Sequence, residues 1–187
     1  GKVLLSGEAA DELFAGYDRI YKWAFQKQKF DTKEFLEYYA YSKFEEISQD
    51  ILDKTNEFFE KLDGLSPFEK TRQFFIKIHL PVLFRRLDFS LMYAGVEGRE
   101  PLASSMMFKI AMQANPKFLF HKNVGKFPLR EIISKTQGED FAFAEKVGFP
   151  VDLSKIFRNS KSNSRYTNYD IRRKENLRRI SSVSYTH

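Results

Sequence analysis

Residues 3–17 read VLLSGEAADELFAGY: an apolar run cut off at Ser6-Gly7, then Glu8, Asp11 and Glu12, and at once an amphipathic pattern. An extended run that stops at Ser-Gly and passes directly into a helical period predicts a strand-to-helix turn. Open α/β sheets place their chemistry at such turns. Backbone N–H groups at the helix start can face an anion, and the three acids can bind a divalent cation or accept a proton. The same acids also suit a plain structural role, as caps and partners of the helix dipole.

The rest of the chain is read as helical. Leu13, Tyr17, Ile20, Tyr21, Ala24 and Phe25 recur at three and four, predicting one long helix. A second stretch from about Thr32 carries Phe35, Tyr38, Tyr39, Ile47, Ile51 and Leu52 as inner residues. Phe58, Phe59 and Leu62 continue it to a break at Asp63-Gly64. Ser66-Pro67-Phe68-Glu69 supplies an N-cap, a first-turn proline and a capping-box acid. That helix is expected to stop near His79, because Pro81 disfavours helical geometry at Leu80. Another helix runs from about Val82 to Tyr93 and ends at Gly95. Glu97–Pro101 reads as a loop, Ser104-Ser105 as the cap of a helix reaching about Ala114, and Lys126–Ser134 as a short helix with Leu129, Ile132 and Ile133 inward. The expected fold class is therefore mainly α with one N-terminal strand. Asn159–Ser164 is expected to be a flexible loop, and Tyr169–Ile180 only weakly helical.

Length and composition bound the alternatives. The chain has 187 residues, enough for one ordinary core, and 20 Phe, 9 Tyr and 1 Trp argue for a packed body over disorder. Cysteine is absent, which removes disulfides, Cys-ligated zinc and thiol catalysis from this chain and fits a reducing, cytoplasmic setting. No apolar run approaches the length of a membrane helix, so no membrane partner is expected. The net charge of +6 comes largely from the tail, where Arg158, Lys161, Arg165, Arg172, Arg173, Lys174, Arg178 and Arg179 face only Asp170 and Glu175. Such clusters could neutralise phosphates in a non-catalytic basic module, but a solvated helix face is the preferred reading and nucleic acid is not expected as a partner.

The opening string resembles the SGEGADELFGGY segment of the asparagine synthetase family. Two later segments resemble the same family, in its order. Leu80–Leu102, LPVLFRRLDFSLMYAGVEGREPL, is similar to its LPxLLxRxDrxSMaxGvExRxPFLD block, in which Glu97 and Arg99 read as an ion pair or loop brace. Gly125–Arg130, GKFPLR, is similar to GKxxLR, and Lys146–Pro150, KVGFP, to the tail of RxKxGFxxP. These blocks cover about a third of the chain.

The resemblance implies a piece of a doubly wound α/β synthetase domain, of the adenine nucleotide α-hydrolase-like kind. Residues 1–187 would be its C-terminal portion, since neither the SGGxDS ATP loop nor the Cys glutaminase occurs in this chain and Gly1 begins almost on the strand. It implies two half-reactions: a carboxylate, aspartate or an analogue, is adenylated by Mg-ATP, and ammonia from a glutaminase domain or partner then displaces AMP to form an amide. Glu8 would assist proton removal from the amine, Asp11 would bind Mg2+, Ser6 and Gly7 would lie against AMP, Lys126 would contact pyrophosphate, and Lys146 would stabilise the adenylation transition state. Lysines suit the last two tasks because a flexible ammonium can follow a phosphate whose charge changes. The chain departs from the family pattern at Ala9 and Ala15, which replace glycines, at Ala144, where an arginine is usual, and at Ser104, where PFLD has its aspartate. A relative forming a different amide, such as a β-lactam synthetase-like or polysaccharide-associated protein, is the alternative. Glu8 favours the asparagine type, because β-lactam synthetase-like members commonly carry Tyr there. The piece alone is expected to be inactive.

Overall fold

The computed structural model describes residues 2–40 and 47–144, all within a compact unit spanning Gly1–Ala144; Glu145–His187 form a second unit. Lys146, the KVGFP segment, the Asn159–Ser164 loop and the basic tail lie outside the described residues.

The chain is mainly helical. Strand β1, Val3–Leu5, is followed by helices α1 (Ala10–Leu13), α2 (Asp18–Gln26), α3 (Thr32–Ala40), α4 (Gln49–Glu60) and α5 (Pro67–Phe74). A π-helical segment, Phe75–His79, leads into α6 (Leu80–Tyr93), after which come β2 (Glu97–Arg99), α7 (Ser105–Gln113), α8 (Pro116–Leu119), α9 (Phe127–Gln137) and α10 (Glu139–Ala142). β1 and β2 pair in parallel, with Val3 opposite Glu97 and Leu5 opposite Arg99. The expected loop at Glu97–Pro101 is therefore half strand. Its EGR sequence has no alternating apolar signal, and its partner lies some ninety residues earlier, so nothing local announces it. Gly98 lets β2 lie against α6: a Cβ there would stand 2.8 Å from Leu91 Cδ1.

Helix boundaries depart from expectation at three places: the stretch expected from Thr32 to Asp63-Gly64 is interrupted at Ser48, which is extended with ψ 149°, before α4 begins. The single helix through Leu13–Phe25 is broken into α1 and α2, because Ala15 turns left-handed at φ 59° and the Gly16 N–H reaches back to the Asp11 carbonyl at 2.8 Å. That is the bonding of a Schellman stop, with alanine where glycine is usual. Conversely, Pro81 does not end a helix. Leu80 keeps helical angles, φ −59° and ψ −41°, and its N–H bonds to the Phe75 carbonyl five residues back. The wider π turn absorbs the missing proline N–H, so the helical path from Pro67 to Tyr93 is continuous. Arg85, Asp88 and Glu97 nevertheless lie outside the core, all exposed.

The core is an aromatic cluster. Phe35 is fully buried, with ring centroids of Phe74 at 4.8 Å, Phe59 at 5.0 Å, Phe30 at 5.5 Å and Tyr39 at 5.9 Å. Tyr21 and Phe75 continue this packing toward α1, their rings 5.7 Å apart. Four residues expected inside are instead exposed: Phe25, Ile51, Ile132 and Ile133. Ser66 caps α5 as expected, accepting from the Glu69 N–H at 3.2 Å. Glu69 does not complete the box; its carboxylate takes the buried Arg72 at 2.8 Å, and Arg72 also donates to the Ala111 carbonyl at 2.7 Å, tying α7 to α5. Gly64, at φ 80°, and Ser104, which caps α7, behave as expected. Among the described residues, no helix is long and apolar enough to cross a membrane.

Candidate functional site

The turn that follows β1 is built by short-range polar contacts. The Ser6 N–H donates to the Arg99 carbonyl at 2.9 Å, continuing the β1–β2 ladder by one bond, and Ser6 Oγ accepts the Glu8 N–H at 3.2 Å. Gly7 is exposed, and a Cβ placed on it would meet nothing within 4 Å, so a ligand can approach the backbone there. Ala9 then takes φ 76° to enter α1. Both alanines that stand in place of glycine thus adopt left-handed geometry, which a non-glycine residue holds at a cost of roughly 1–2 kcal/mol.

Three of the acids in this turn have distinct environments. Glu8 is about one-quarter exposed and faces Arg86 of α6 at 3.5 Å; Arg86 is itself largely exposed, so it is a movable partner. Asp11 pairs with Lys126 at 2.9 Å, with both side chains 23% exposed. Glu12 points the other way into the core, 1% exposed, accepting the Tyr17 hydroxyl, while Tyr21 Oη donates to its carbonyl at 3.3 Å. Burial raises the Glu12 pKa, an effect the Tyr17 hydrogen bond moderates and the neighbouring Asp11 and Glu8 charges reinforce. Tyr17 is pushed upward too, first by burial and then by the Glu12 charge. Glu12 and Tyr17 therefore form the floor of the turn, while Glu8 and Asp11 are partly exposed and meet basic side chains.

Lys126 arrives from more than a hundred residues away, and the docking of its loop is specific. The Lys126 N–H donates to the Phe14 carbonyl at 2.7 Å, and the Gly125 N–H donates to Asp18 Oδ1 at 2.8 Å. A Cβ on Gly125 would lie 1.8 Å from the Ala15 carbonyl oxygen, so only glycine permits this approach. Lys126 itself is left-handed at φ 54°. Arg130, one turn into α9, returns to the Gly125 carbonyl at 3.2 Å and reaches the Ala142 carbonyl at 2.6 Å, bracing the loop against α10.

Ser6, Gly7, Glu8, Asp11 and Lys126 are thus gathered on one turn, with Lys146 outside the described residues. Glu97 and Arg99 form the expected ion pair, at 2.8 Å on the exposed strand β2. Sequence reasoning passed over Tyr17, Asp18, Arg86 and Arg130. Tyr17, Arg86 and Arg130 lay in blocks already singled out, but Arg86 meets its partner Glu8 from a distant part of the chain, which spacing cannot announce.

Beneath the turn a second polar contact crosses the aromatic core. Tyr39 Oη lies 2.8 Å from His79 Nδ1 at the end of the π segment. Burial, with the Arg86 charge second, lowers the His79 pKa, and burial raises that of Tyr39.

The outward face of the turn suits a metal–phosphate complex. Mg2+ usually takes one or two protein carboxylates and completes its shell with phosphate oxygens and water. Asp11 offers one such carboxylate, Lys126 a cation for the phosphate, and Gly7 open backbone. Among the described residues, no three acids or histidines converge in a way that would hold a bare ion.

A family model described as asparagine synthase matches residues 1–181 of the chain. No curated protein and no solved structure matches it.

Proposed function

We propose that this chain, which belongs to the asparagine synthase family, forms the phosphate-releasing and amine-accepting side of an ATP-dependent amide ligase, as the C-terminal portion of a doubly wound synthetase domain. The family supports amide formation by a ligase-type enzyme. The observation that carries the finer reading is the docking of the GKFPLR loop onto the SGEAADELFAGY turn, which brings Lys126 to Asp11 at 2.9 Å.

In this reading ATP would supply the adenylyl group that activates the carboxylate, with pyrophosphate leaving, and Mg2+ would neutralise the charge of its phosphates. Asp11 holds the cation, and Lys126 takes the pyrophosphate end. Ser6 and Gly7 present an open edge to the nucleotide, and Lys146 meets the charge that develops as pyrophosphate leaves. Glu8 accepts the proton from the attacking amine, with Arg86 holding its carboxylate until substrate arrives. The acceptor is a small carboxylate, aspartate or an analogue; ammonia comes from a glutaminase domain or partner, and the setting is cytoplasmic.

The test separates the half-reactions. The 187-residue chain alone should give no ATP–pyrophosphate exchange with aspartate; robust exchange would overturn the partial-site reading. In an enzyme completed by an ATP-loop region, Lys146→Ala should lower turnover by about 2–4 kcal/mol in activation free energy with little change in ATP affinity. Glu8→Gln should leave exchange largely intact and impair amide formation. Equal damage to both half-reactions by Glu8→Gln would remove its assignment as the base.

A further inference from the structure

We propose that a cleft between α4, α5 and the loop before α3 binds a free zwitterionic α-amino acid with an apolar side chain, taking its ammonium on Glu60 and Asp63 and its carboxylate on Lys70. The cleft has a volume of about 330 Å³, at the lower end of the range for small-molecule sites, and Phe30, Asn56, Phe59, Glu60, Asp63 and Lys70 line it. None of these residues belongs to the turn after β1 or to the GKFPLR loop, so the inference stands apart from the proposed function.

The sequence builds one wall by periodicity. Asn56, Phe59, Glu60 and Asp63 fall at i, i+3, i+4 and i+7, which sets them on one side of α4 and the turn that ends it. Phe59 is buried, and Phe30 packs on it with ring centroids 4.3 Å apart, giving the cleft an apolar floor. The Lys70 ammonium comes from the first turn of α5 and stands over the Phe30 ring, 5.9 Å from its centroid. One cation and two carboxylates therefore line one small cleft.

How these charges are paired points to a ligand. Among the described residues no ion pair joins Lys70 to Glu60 or Asp63. The lysines of α4 and its cap behave differently, each taking the acid one turn before it: Lys54 meets Asp50 at 2.8 Å, and Lys61 meets Glu57 at 2.6 Å. An amine entering the cleft would gain the acids but meet the like charge of Lys70. A carboxylate would gain Lys70 but meet two like charges. A zwitterion sets each end against its opposite, and the negative end of the α4 dipole reinforces the acidic side. The Asn56 amide can donate to the carboxylate or accept from the ammonium, and the Phe30–Phe59 floor takes the apolar side chain.

The experiment uses the full 187-residue chain with L-leucine as the probe. Isoamylamine, which lacks the carboxylate, and 4-methylpentanoate, which lacks the amine, serve as comparisons. Binding is followed by calorimetry and by the fluorescence of Trp23, the chain's single tryptophan, whose ring meets Phe30 at 5.6 Å. L-Leucine should bind saturably and about tenfold more tightly than either analogue, the weight of one charge-assisted hydrogen bond. Lys70→Met should remove its advantage over isoamylamine, and Glu60→Gln combined with Asp63→Asn its advantage over 4-methylpentanoate. Equal wild-type binding of L-leucine and isoamylamine would reduce the cleft to a cation site and overturn the proposal, as would absence of saturable L-leucine binding. L-Leucine binding unchanged in both variants would overturn it too, by placing the ligand elsewhere. Thermal melts identify a variant that fails to fold, in which case the wild-type comparison of the three probes decides. No outcome bears on ATP–pyrophosphate exchange, so the cleft can fail while the reading of the turn stands.

Discussion

The aromatic body and the turn after β1 are neighbours held by opposite means. Around Phe35 the structure is fixed by non-directional burial, with four rings of α3, α4, α5 and the loop before α3 closing within 6 Å. At the turn, residues 6–18 and 122–130 are held by single hydrogen bonds, two ion pairs and five non-glycine residues in left-handed geometry, Ala9, Ala15, Lys122, Asn123 and Lys126. The first arrangement tolerates repacking and gives stability; the second gives position, at the expense of strain. Strain kept at a polar turn while the apolar body stays relaxed is the division expected of a site on a scaffold.

The largest expected effect falls on the body. Phe35→Ala removes a fully buried ring at the centre of the cluster and should lower unfolding free energy by about 3–5 kcal/mol, measured by urea denaturation. A loss below 1 kcal/mol would mean that the cluster can collapse around the void, and the contrast with the turn would weaken.

Gly125→Ala tests the turn without touching the body. The added methyl meets the Ala15 carbonyl oxygen at 1.8 Å and Asp18 Oδ1 at 2.7 Å, so the loop must lift. The expected loss is about 1–3 kcal/mol. Hydrogen exchange should speed up at Lys126 and Gly125 while α3–α5 amides keep their protection. Uniform acceleration through both regions would show that they unfold as one unit.

These regions also differ in how far they were legible from sequence. The helical body was readable because each helix carries its own apolar period, capping residue or glycine stop: Ser66, Gly64 and Gly95 act where they were expected to. Where the period was read too literally, at Ile51, Ile132 and Ile133, the pattern gave the helix but not which stripe faced inward. The continuous helix across Pro81 was missed because a π turn depends on hydrogen bonds that no residue type announces. The residues of the site were visible through their motif, but its geometry was not. The Asp11–Lys126, Glu8–Arg86 and Asp18–Gly125 contacts join residues 78 to 115 positions apart in the chain, and spacing alone cannot pair them.

A pH series should show the join between the regions. Glu12 has a folded-state pKa above its ordinary value, so the unfolded chain ionises first as pH rises from about 4.5, and the stability present at lower pH is lost through that window. His79 acts oppositely. Its folded pKa is lowered, so its contribution is full above about 6.5 and is lost as pH falls below that value. Glu12→Gln should flatten the acid-side decline with rising pH and leave the His79 limb. An unchanged profile would mean that Tyr17 and the surrounding turn already stabilise the ionised carboxylate fully.

The smallest effect has the sharpest sign. Ala9 and Ala15 hold φ of 76° and 59°, where alanine bears roughly 1–2 kcal/mol of steric strain that glycine does not. Glycine also loses more chain entropy on folding, by about 0.4–1 kcal/mol, so Ala9→Gly and Ala15→Gly should each stabilise the fold by only about 0.5 kcal/mol, read from paired denaturation curves. Destabilisation by either would show that the fully buried methyl packs well enough to outweigh the strain. That result would reverse the comparison at this one point: the turn would then be held, like the body, by burial, and alanine would be the residue the packing selects.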